Sequence, residues 1–383
     1  MRTSPMILVV LLWCAGLGAA AQFGKISILF ETLRASYGAN GEVALGLVVS
    51  IVGMVGLIFG TTAGLLVARI GPRRAIVAAL LAGAAMSALQ SLMPAYPLML
   101  ASRIVEGASH LAIVVVGPTM IATLAPEARR PLAMTLWSSF FGVTYTVLAL
   151  IGPYATPTGL FLGHAAYMSA LAAILAATLP PDPRRPPAPL GNLLKQHAEI
   201  YASPRLAAPA MGFCCYTFLY VAVLTLLPPE TPATQRALIA AGMPLVSIAV
   251  SLTLGVRLLR HMSAVRLVQW GYAAAVPGFL LLWALWGNGA GMVAGGFLLS
   301  AALGIVQGAS FSSIPELNQT PEDRARAAGA VAQLGNLGTT TGTPVLAAIL
   351  ASAGPAGLAV AATVLCGIGI AVHALQRARR AGQ

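Results

Sequence analysis

Three side chains that can carry charge or exchange protons share one face of a single apolar segment. Arg103, Glu106 and His110 stand at i, i+3 and i+7, a spacing that lines one side of an α-helix. Lys25 lies in a second apolar segment near the N-terminus. The two basic side chains would attract an anion, and Glu106 and His110 can change charge. These residues therefore predict an anion-binding site coupled to proton movement.

Each of these residues also has a purely structural interpretation. Arg103 and Glu106 could neutralise each other as a pair between helices. His110 could be a neutral imidazole bonded to a backbone carbonyl. Lys25 could lie near the end of its segment and extend its ammonium to the membrane interface. The sequence leaves both sets of interpretations open.

The composition identifies the solvent around these residues as lipid. Of the 383 residues, 58% are apolar and only 8% are charged, whereas soluble proteins carry roughly 25% charged residues. A membrane-spanning helix needs about 20 mostly apolar residues. The chain contains twelve such segments, none with the alternation of a barrel strand, and we expect an all-α membrane protein. The predicted spans are 6–30, 44–68, 75–94, 97–122, 133–153, 159–179, 208–228, 237–256, 267–287, 291–314, 327–352 and 356–375.

The first span has an alternative interpretation as a cleaved signal peptide, because residues 1–21 combine one Arg with an apolar run and small residues. The apolar run resumes after Lys25, which favours a span.

With the N-terminus in the cytoplasm, 18 of the 22 Lys and Arg residues fall on the cytoplasmic side. This bias predicts cytoplasmic termini in a plasma membrane, specifically a bacterial inner membrane. It explains the net charge of +12 without nucleic-acid binding.

A proline-rich stretch at 180–189 divides the spans into six and six. We therefore expect a first bundle at 1–180, a cytoplasmic linker with a short surface helix at 181–206, and a second bundle at 207–383. The two halves share sequence: IVEGAS at Ile104–Ser109 returns as IVQGAS at Ile305–Ser310, in the fourth span of each half. Such a duplication is typical of transporters built from repeats, with the substrate bound between them.

Two motifs carry a resemblance to a known family. The stretch after the second span, from Gly64 through Arg69 and Gly71 to Arg73 and Arg74, resembles the G-x-L-x-D-R-x-G-R-R/K loop of the major facilitator superfamily. The sequence at 103–107, RIVEG, is similar to its R-x-x-Q/E-G pattern. The resemblance implies two pseudo-symmetric six-helix bundles, alternating access, and a loop that controls the conformational change.

The sequence departs from that loop motif at its acid, where it has Ala68. In similar proteins this acid ties the cytoplasmic ends of the halves together, and Glu127 is a hypothetical replacement. Span five lacks the Gly- and Pro-rich pattern typical of drug/proton antiporters. Further polar residues within spans could line the substrate pathway or simply join helices: Gln22, Gln307, Gln333 and Asn336.

These observations predict a monomeric secondary transporter for a small, anionic organic solute, coupled to protons as a symporter. The alternatives are a drug or metabolite efflux antiporter, a membrane sensor and an intramembrane enzyme. A sensor would be expected to carry a soluble signalling domain, and the sequence has no G-x-S-x-G nucleophile motif. The scattered histidines and the four cysteines within spans predict neither a metal site nor a disulfide, and we expect no cofactor.

Overall fold

The structure is a computed structural model that describes residues 4–40, 42–182 and 192–382. The central part of the predicted linker, residues 183–191, lies outside the described residues. Helices account for every regular element of the part that is described. They are α1 (Pro5–Ile28), α2 (Phe30–Tyr37), α3 (Glu42–Ile70), α4 (Pro72–Gln90), α5 (Tyr96–Leu124), α6 (Arg130–Ser138), α7 (Phe140–Ile151), α8 (Pro157–Thr178), α9 (Leu193–Ala202), α10 (Ala207–Glu230), α11 (Ala233–Val250), α12 (Val256–Leu258), α13 (Ala264–Ala284), α14 (Gly289–Leu317) and α15 (Pro321–Ala381), with a π-helical turn at Ser251–Gly255 between α11 and α12.

The twelve predicted spans are confirmed, although they do not correspond one-to-one to the helices. Ten helical stretches are long and apolar enough to cross a membrane. One of these, α15, contains two spans, because Gly354 adopts a left-handed φ of 64° and Pro355 starts a new helical direction. The remaining span, predicted at 133–153, is formed by the pair α6 and α7. Both Ser138 and Ser139 bond back to carbonyls of the preceding turn, at 2.7 Å each, where α6 gives way to α7.

The helices form two halves. In the first half α5 packs against α1, α3 and α4, and α8 packs against α4; in the second, α14 packs against α11 and α13, and α15 against α10 and α13. The halves meet where α3 contacts α15 and where α6 contacts α14. We call the side at which α3 ends and α9 lies the linker side, and the opposite side the far side.

The repeated hexapeptide occupies equivalent places in the two halves, as predicted. Gly107 on α5 lies against Val52 of α3, and Gly308 on α14 lies against Ser251, which follows α11. One turn earlier the correspondence continues, because Arg103 donates to the Val48 carbonyl and Gly304 lies against the Ser247 carbonyl. The duplicated glycines thus allow the fourth span of each half to approach the second span closely.

Candidate functional site

A network of buried charges lies inside the first half. Lys25 Nζ on α1 is 2.5 Å from Glu106 Oε1 on α5, and Arg103 Nη1 donates to Glu106 Oε2. All three side chains are fully buried. Ions removed from water persist only when they are paired and hydrogen-bonded. The predicted Arg103–Glu106 pair therefore exists, and Lys25 joins it instead of extending to the membrane interface, so that alternative was wrong.

Arg103 also joins three helices. Its Nε donates to the Val48 carbonyl of α3 at 2.9 Å, and its Nη1 donates to the Gln22 carbonyl of α1 at 2.7 Å. Its buried Nη2 has no hydrogen-bond partner among the described residues. One guanidinium nitrogen is thus left to donate to a further acceptor.

Three residues that the sequence analysis missed complete the network. Gln90 at the end of α4 donates to Glu106 Oε2 at 2.7 Å, while Ser87 Oγ and His164 Nδ1 lie 2.8 Å and 3.3 Å from Lys25 Nζ. All three are buried. A histidine within the apolar α8 was a usable signal for His164. A serine or glutamine in a span is too common to distinguish Ser87 and Gln90 from ordinary helix contacts.

The side chains of His110 and Gln22 lie beside the network and bond to other groups, although the Gln22 backbone carbonyl accepts from Arg103. His110 Nδ1 is 2.9 Å from the Ala19 carbonyl, and its ring packs edge-on against Phe23, with 4.9 Å between ring centroids. Gln22 Nε2 donates to Ser109 Oγ at 2.9 Å. The buried imidazole bonded to a carbonyl, one of the two interpretations of His110, is the observed contact.

The polar residues of the second half occupy a different kind of place. Gln307 Nε2 donates to the Ser138 carbonyl at 2.6 Å, at the junction of α6 and α7. Gln333 Nε2 donates to the Leu57 carbonyl of α3 at 2.7 Å. Asn336 lies against Gly53 and Gly56 of the same helix. These three side chains therefore join the two halves, and the structure does not bring them into contact with Lys25, Arg103 or Glu106.

Helix α9 reinforces this junction on the linker side. Its His197 Nδ1 lies 2.8 Å from Thr61 Oγ1 of α3, and its Tyr201 hydroxyl donates to Gln333 Oε1 of α15 at 2.7 Å. Burial raises the pKa of the Tyr201 phenol, so the neutral hydroxyl is the donor at physiological pH. Glu199 of α9 is 3.5 Å from Arg326 of α15. The short helix thus contacts both halves.

The comparisons with known proteins agree with this architecture. The sequence matches the family model of the Major Facilitator Superfamily over residues 8–320. The chain belongs to the Major Facilitator Superfamily. It is a multi-pass membrane protein.

One curated member of the superfamily is a sequence relative. The inner membrane transport protein YajR of Escherichia coli (strain K12) is 27% identical over 214 residues, which is 54% of this chain and 46% of YajR. The match thus spans about half the length of that relative.

Solved structures of the superfamily share the fold. The human organic anion transporter MFSD10 (TETRAN) superposes with a TM-score of 0.81 at 18% identity, over 98% of this chain and 100% of its own. FucP in the outward conformation gives 0.77 at 15% identity, over 98% and 99%. The proton:xylose symporter XylE gives 0.77 at 14% identity, over 96% and 94%.

The superfamily's loop between α3 and α4 is tied down by an acid that the sequence analysis did not select. Gly71 adopts a φ of 98°, and Asp182 accepts hydrogen bonds from the backbone N–H groups of Arg73 and Arg74, at 2.8 Å and 3.0 Å. A Cβ on Gly71 would lie 2.5 Å from Asp182 Cγ. Asp182 therefore caps α4 and ties its start to the end of α8.

The rest of the loop motif lies at the surface or at the junction of the halves. Ala68 and Arg69 are exposed, while Gly64 lies directly against the Ala325 carbonyl of α15. Glu127, the hypothetical replacement for the missing acid, is exposed in the turn Glu127–Arg129 after α5. Asp182 is an acid that does contact the loop, and it acts within the first half.

Proposed function

We propose that this protein is a proton-coupled secondary transporter for a small organic anion, with Glu106 as the residue that binds the coupling proton. The observation that carries the proposal is the fully buried Glu106 carboxylate held between two cations, Lys25 and Arg103. Buried titratable groups with specific charged partners mark proton relays in many membrane transporters.

The charges of the network supply a reason for an anionic substrate. Two cations against one carboxylate leave one positive charge in excess, and Arg103 Nη2 has no partner among the described residues. If Glu106 takes up a proton, the N–H of Arg103 Nη1 that bonds to Glu106 also becomes available, while Nη1 keeps its bond to the Gln22 carbonyl. A guanidinium with two free donors binds a carboxylate or phosphate in a bidentate manner. Proton binding at Glu106 and anion binding at Arg103 would then favour each other.

The contacts between the halves support alternating access. On the linker side Gly60 of α3 meets Gly329 of α15, so closely that a Cβ on Gly60 would lie 2.7 Å from the Gly329 carbonyl. Gln307, Gln333 and α9 add hydrogen bonds there. Since the linker side is closed by these contacts, we infer that the substrate enters from the far side in this state. Release on the linker side requires α3 and α15 to separate.

Several features of similar proteins are in line with this proposal. XylE is named a proton:xylose symporter, MFSD10 an organic anion transporter and YajR an inner membrane transport protein.

The excess of basic residues on the linker side favours a bacterial inner membrane with both termini in the cytoplasm. We propose residues 1–180 and 207–383 as the two moving units. We further propose that the monomer is the functional unit.

Uptake into proteoliposomes tests the proposal. A panel of radiolabelled mono- and dicarboxylates, with a neutral sugar as control, would be offered under an imposed pH gradient. We expect an anion to accumulate with the wild-type protein. Glu106→Gln should abolish pH-driven accumulation while exchange of substrate across the membrane persists.

The matched control is Gln319→Ala, at an exposed glutamine just after α14 that donates to the nearby Glu316 carbonyl, which should retain pH-driven accumulation. Wild-type accumulation by Glu106→Gln would contradict the assignment of Glu106. Movement of substrate against the direction of proton flow would identify an antiporter, the alternative mechanism.

A further inference from the structure

The surroundings of Lys25 match the hydrogen-bonding capacity of an ammonium group. A charged lysine has three N–H donors and no acceptor. Three acceptors lie around Nζ: Glu106 Oε1 at 2.5 Å, Ser87 Oγ at 2.8 Å and His164 Nδ1 at 3.3 Å. The Phe161 ring lies 5.2 Å from Nζ, a distance at which a cation is attracted to an aromatic face. The site is built for the protonated form of Lys25.

The contacts of His164 determine where its proton is. His164 Nε2 is 2.9 Å from the Gly18 carbonyl, which can only accept, so Nε2 carries the hydrogen. In the neutral ring Nδ1 is then an acceptor, as its contact with Lys25 requires. Ser87 gives its only hydrogen to the Phe161 carbonyl at 2.9 Å, so its oxygen also accepts from Lys25. Nδ1 also lies 3.0 Å from Ser87 Oγ, to which an imidazolium could donate. An imidazolium would, however, hold a second positive charge and an N–H against the Lys25 ammonium 3.3 Å away, so the arrangement favours a neutral His164.

We propose that His164 is a positioning residue, whose neutral imidazole acts with Ser87 to keep Lys25 charged against Glu106 and thereby sets the pH at which Glu106 binds its proton. This inference rests on the proposed role of Glu106. The charged or titratable side chains that face His164 among the described residues are Lys25 on α1 and Glu106 and Arg103 on α5. Helix α4 contributes the neutral Ser87.

The direction of the effect follows from the charges. Without the acceptor at position 164, one N–H of a buried ammonium is left unpaired, and Lys25 loses its proton more readily. A neutral lysine leaves Glu106 with Arg103 as its only cation. The carboxylate is then less stabilised relative to the protonated acid, so Glu106 binds its proton at a higher pH.

The protonation state of His164 can be measured without a substrate. The full-length protein would be labelled with nitrogen-15 histidine and studied by NMR in lipid bilayers. The chain has five histidines, and the signals lost in His164→Asn identify those of residue 164. We expect a neutral ring protonated at Nε2 between about pH 5 and pH 8. An imidazolium, or a ring protonated at Nδ1, in that range would overturn the proposal.

Two variants test the consequence for proton binding. His164→Leu removes the acceptor, and we expect the midpoint of the pH profile of proton uptake by the purified protein to rise by about one unit or more. His164→Asn places an amide oxygen near the position of Nδ1 and should keep the midpoint near that of the wild type. Equal midpoints for wild type and His164→Leu would overturn the proposal.

Further variants separate the possible failures. If His164→Leu does not fold, Ser87→Ala removes a different acceptor of Lys25 and should shift the midpoint in the same direction; an unchanged midpoint there also counts against the proposal. Glu106→Gln should remove the pH-dependent proton uptake altogether. If it does not, the role of Glu106 fails, whereas the NMR experiment still reports independently whether His164 is the neutral acceptor of Lys25.

Discussion

Glu106 and Gln307 occupy the same position in the two repeats and make opposite kinds of contact. Among the described residues, the partners of the Glu106 side chain are Lys25, Arg103 and Gln90, all in its own half. The Gln307 side chain bonds across the boundary, to the Ser138 carbonyl of the other half. One copy of the repeat has therefore become an internal charge network and the other a neutral contact between the two halves.

The energetics of the two regions explain this division. Removing one partner of a buried ion pair lowers the free energy of unfolding by about 3–5 kcal/mol. A neutral hydrogen bond contributes only about 0.5–1.5 kcal/mol to the same quantity. Contacts between the halves must break in each transport cycle if access alternates. Neutral amide and hydroxyl groups on the linker side keep that cost small. Lys25, Arg103 and Glu106 all lie in the first half, so separating the halves does not by itself separate these charges.

The largest expected effect comes from removing the negative charge of the network. Glu106→Gln leaves Lys25 and Arg103 as two buried cations without a counter-ion, so we expect a loss of about 3–5 kcal/mol in the free energy of unfolding. The measurement is thermal or denaturant unfolding in detergent. The double variant Lys25→Met/Glu106→Gln should recover part of that loss. If the double variant is as unstable as the single one, the network does not depend on balanced charge.

The next largest effect is expected where the helices of the two halves touch. Gly60→Ala adds a Cβ that would lie 2.6 Å from the Gln333 Cβ and 2.7 Å from the Gly329 carbonyl. We expect α3 and α15 to separate and the linker side to open more often. Spin labels on the linker ends of α3 and α15 would report longer distances.

Gly163→Ala is the matched control, because a Cβ on that glycine of α8 meets nothing within 4 Å. It should leave the distance distribution unchanged and stabilise its helix slightly, by about 0.5–1 kcal/mol. Unchanged distances for Gly60→Ala would mean that the contact between α3 and α15 does not control the state of the linker side.

A smaller effect is expected at α9. Tyr201→Phe removes only the hydroxyl that donates to Gln333. Losing one neutral hydrogen bond should shift the ratio of closed to open linker-side states by about 2- to 10-fold. The same spin-label distances measure the shift. The control is Tyr154→Phe, since the Tyr154 side chain is 89% exposed; an equal shift in both variants would exclude α9 as a specific contact.

The smallest effect is expected from the exposed ion pair between α9 and α15. Glu199 and Arg326 are 3.5 Å apart, but their side chains are 50% and 24% exposed. An exposed ion pair contributes about 0–1 kcal/mol and is screened by salt. Glu199→Gln should therefore shift the closed-to-open ratio less than Tyr201→Phe does. At high salt the Glu199→Gln variant should have the same ratio as the wild type. A larger shift than that of Tyr201→Phe would contradict the view that neutral contacts dominate this boundary.

The sequence alone determined the spans, the two halves and one pair of the charge network. The lipid core fixes the length of each helix, so the long apolar segments specify twelve spans. The proline-rich stretch divides these spans into two groups of six. The Arg103–Glu106 pair was also predictable. It lies within one helix, and the α-helical period alone places i and i+3 on the same face.

The tertiary structure decided which residues from different helices meet. Lys25, Ser87 and His164 come together from α1, α4 and α8, and Gln307 turns toward the other half although Glu106 does not. These outcomes depend on the rotation of each helix about its axis. Spans in lipid are apolar on nearly all sides, so their sequences carry too little amphipathic pattern to specify that rotation. Close packing at glycines and the pairing of buried polar groups fix it only once the helices are assembled.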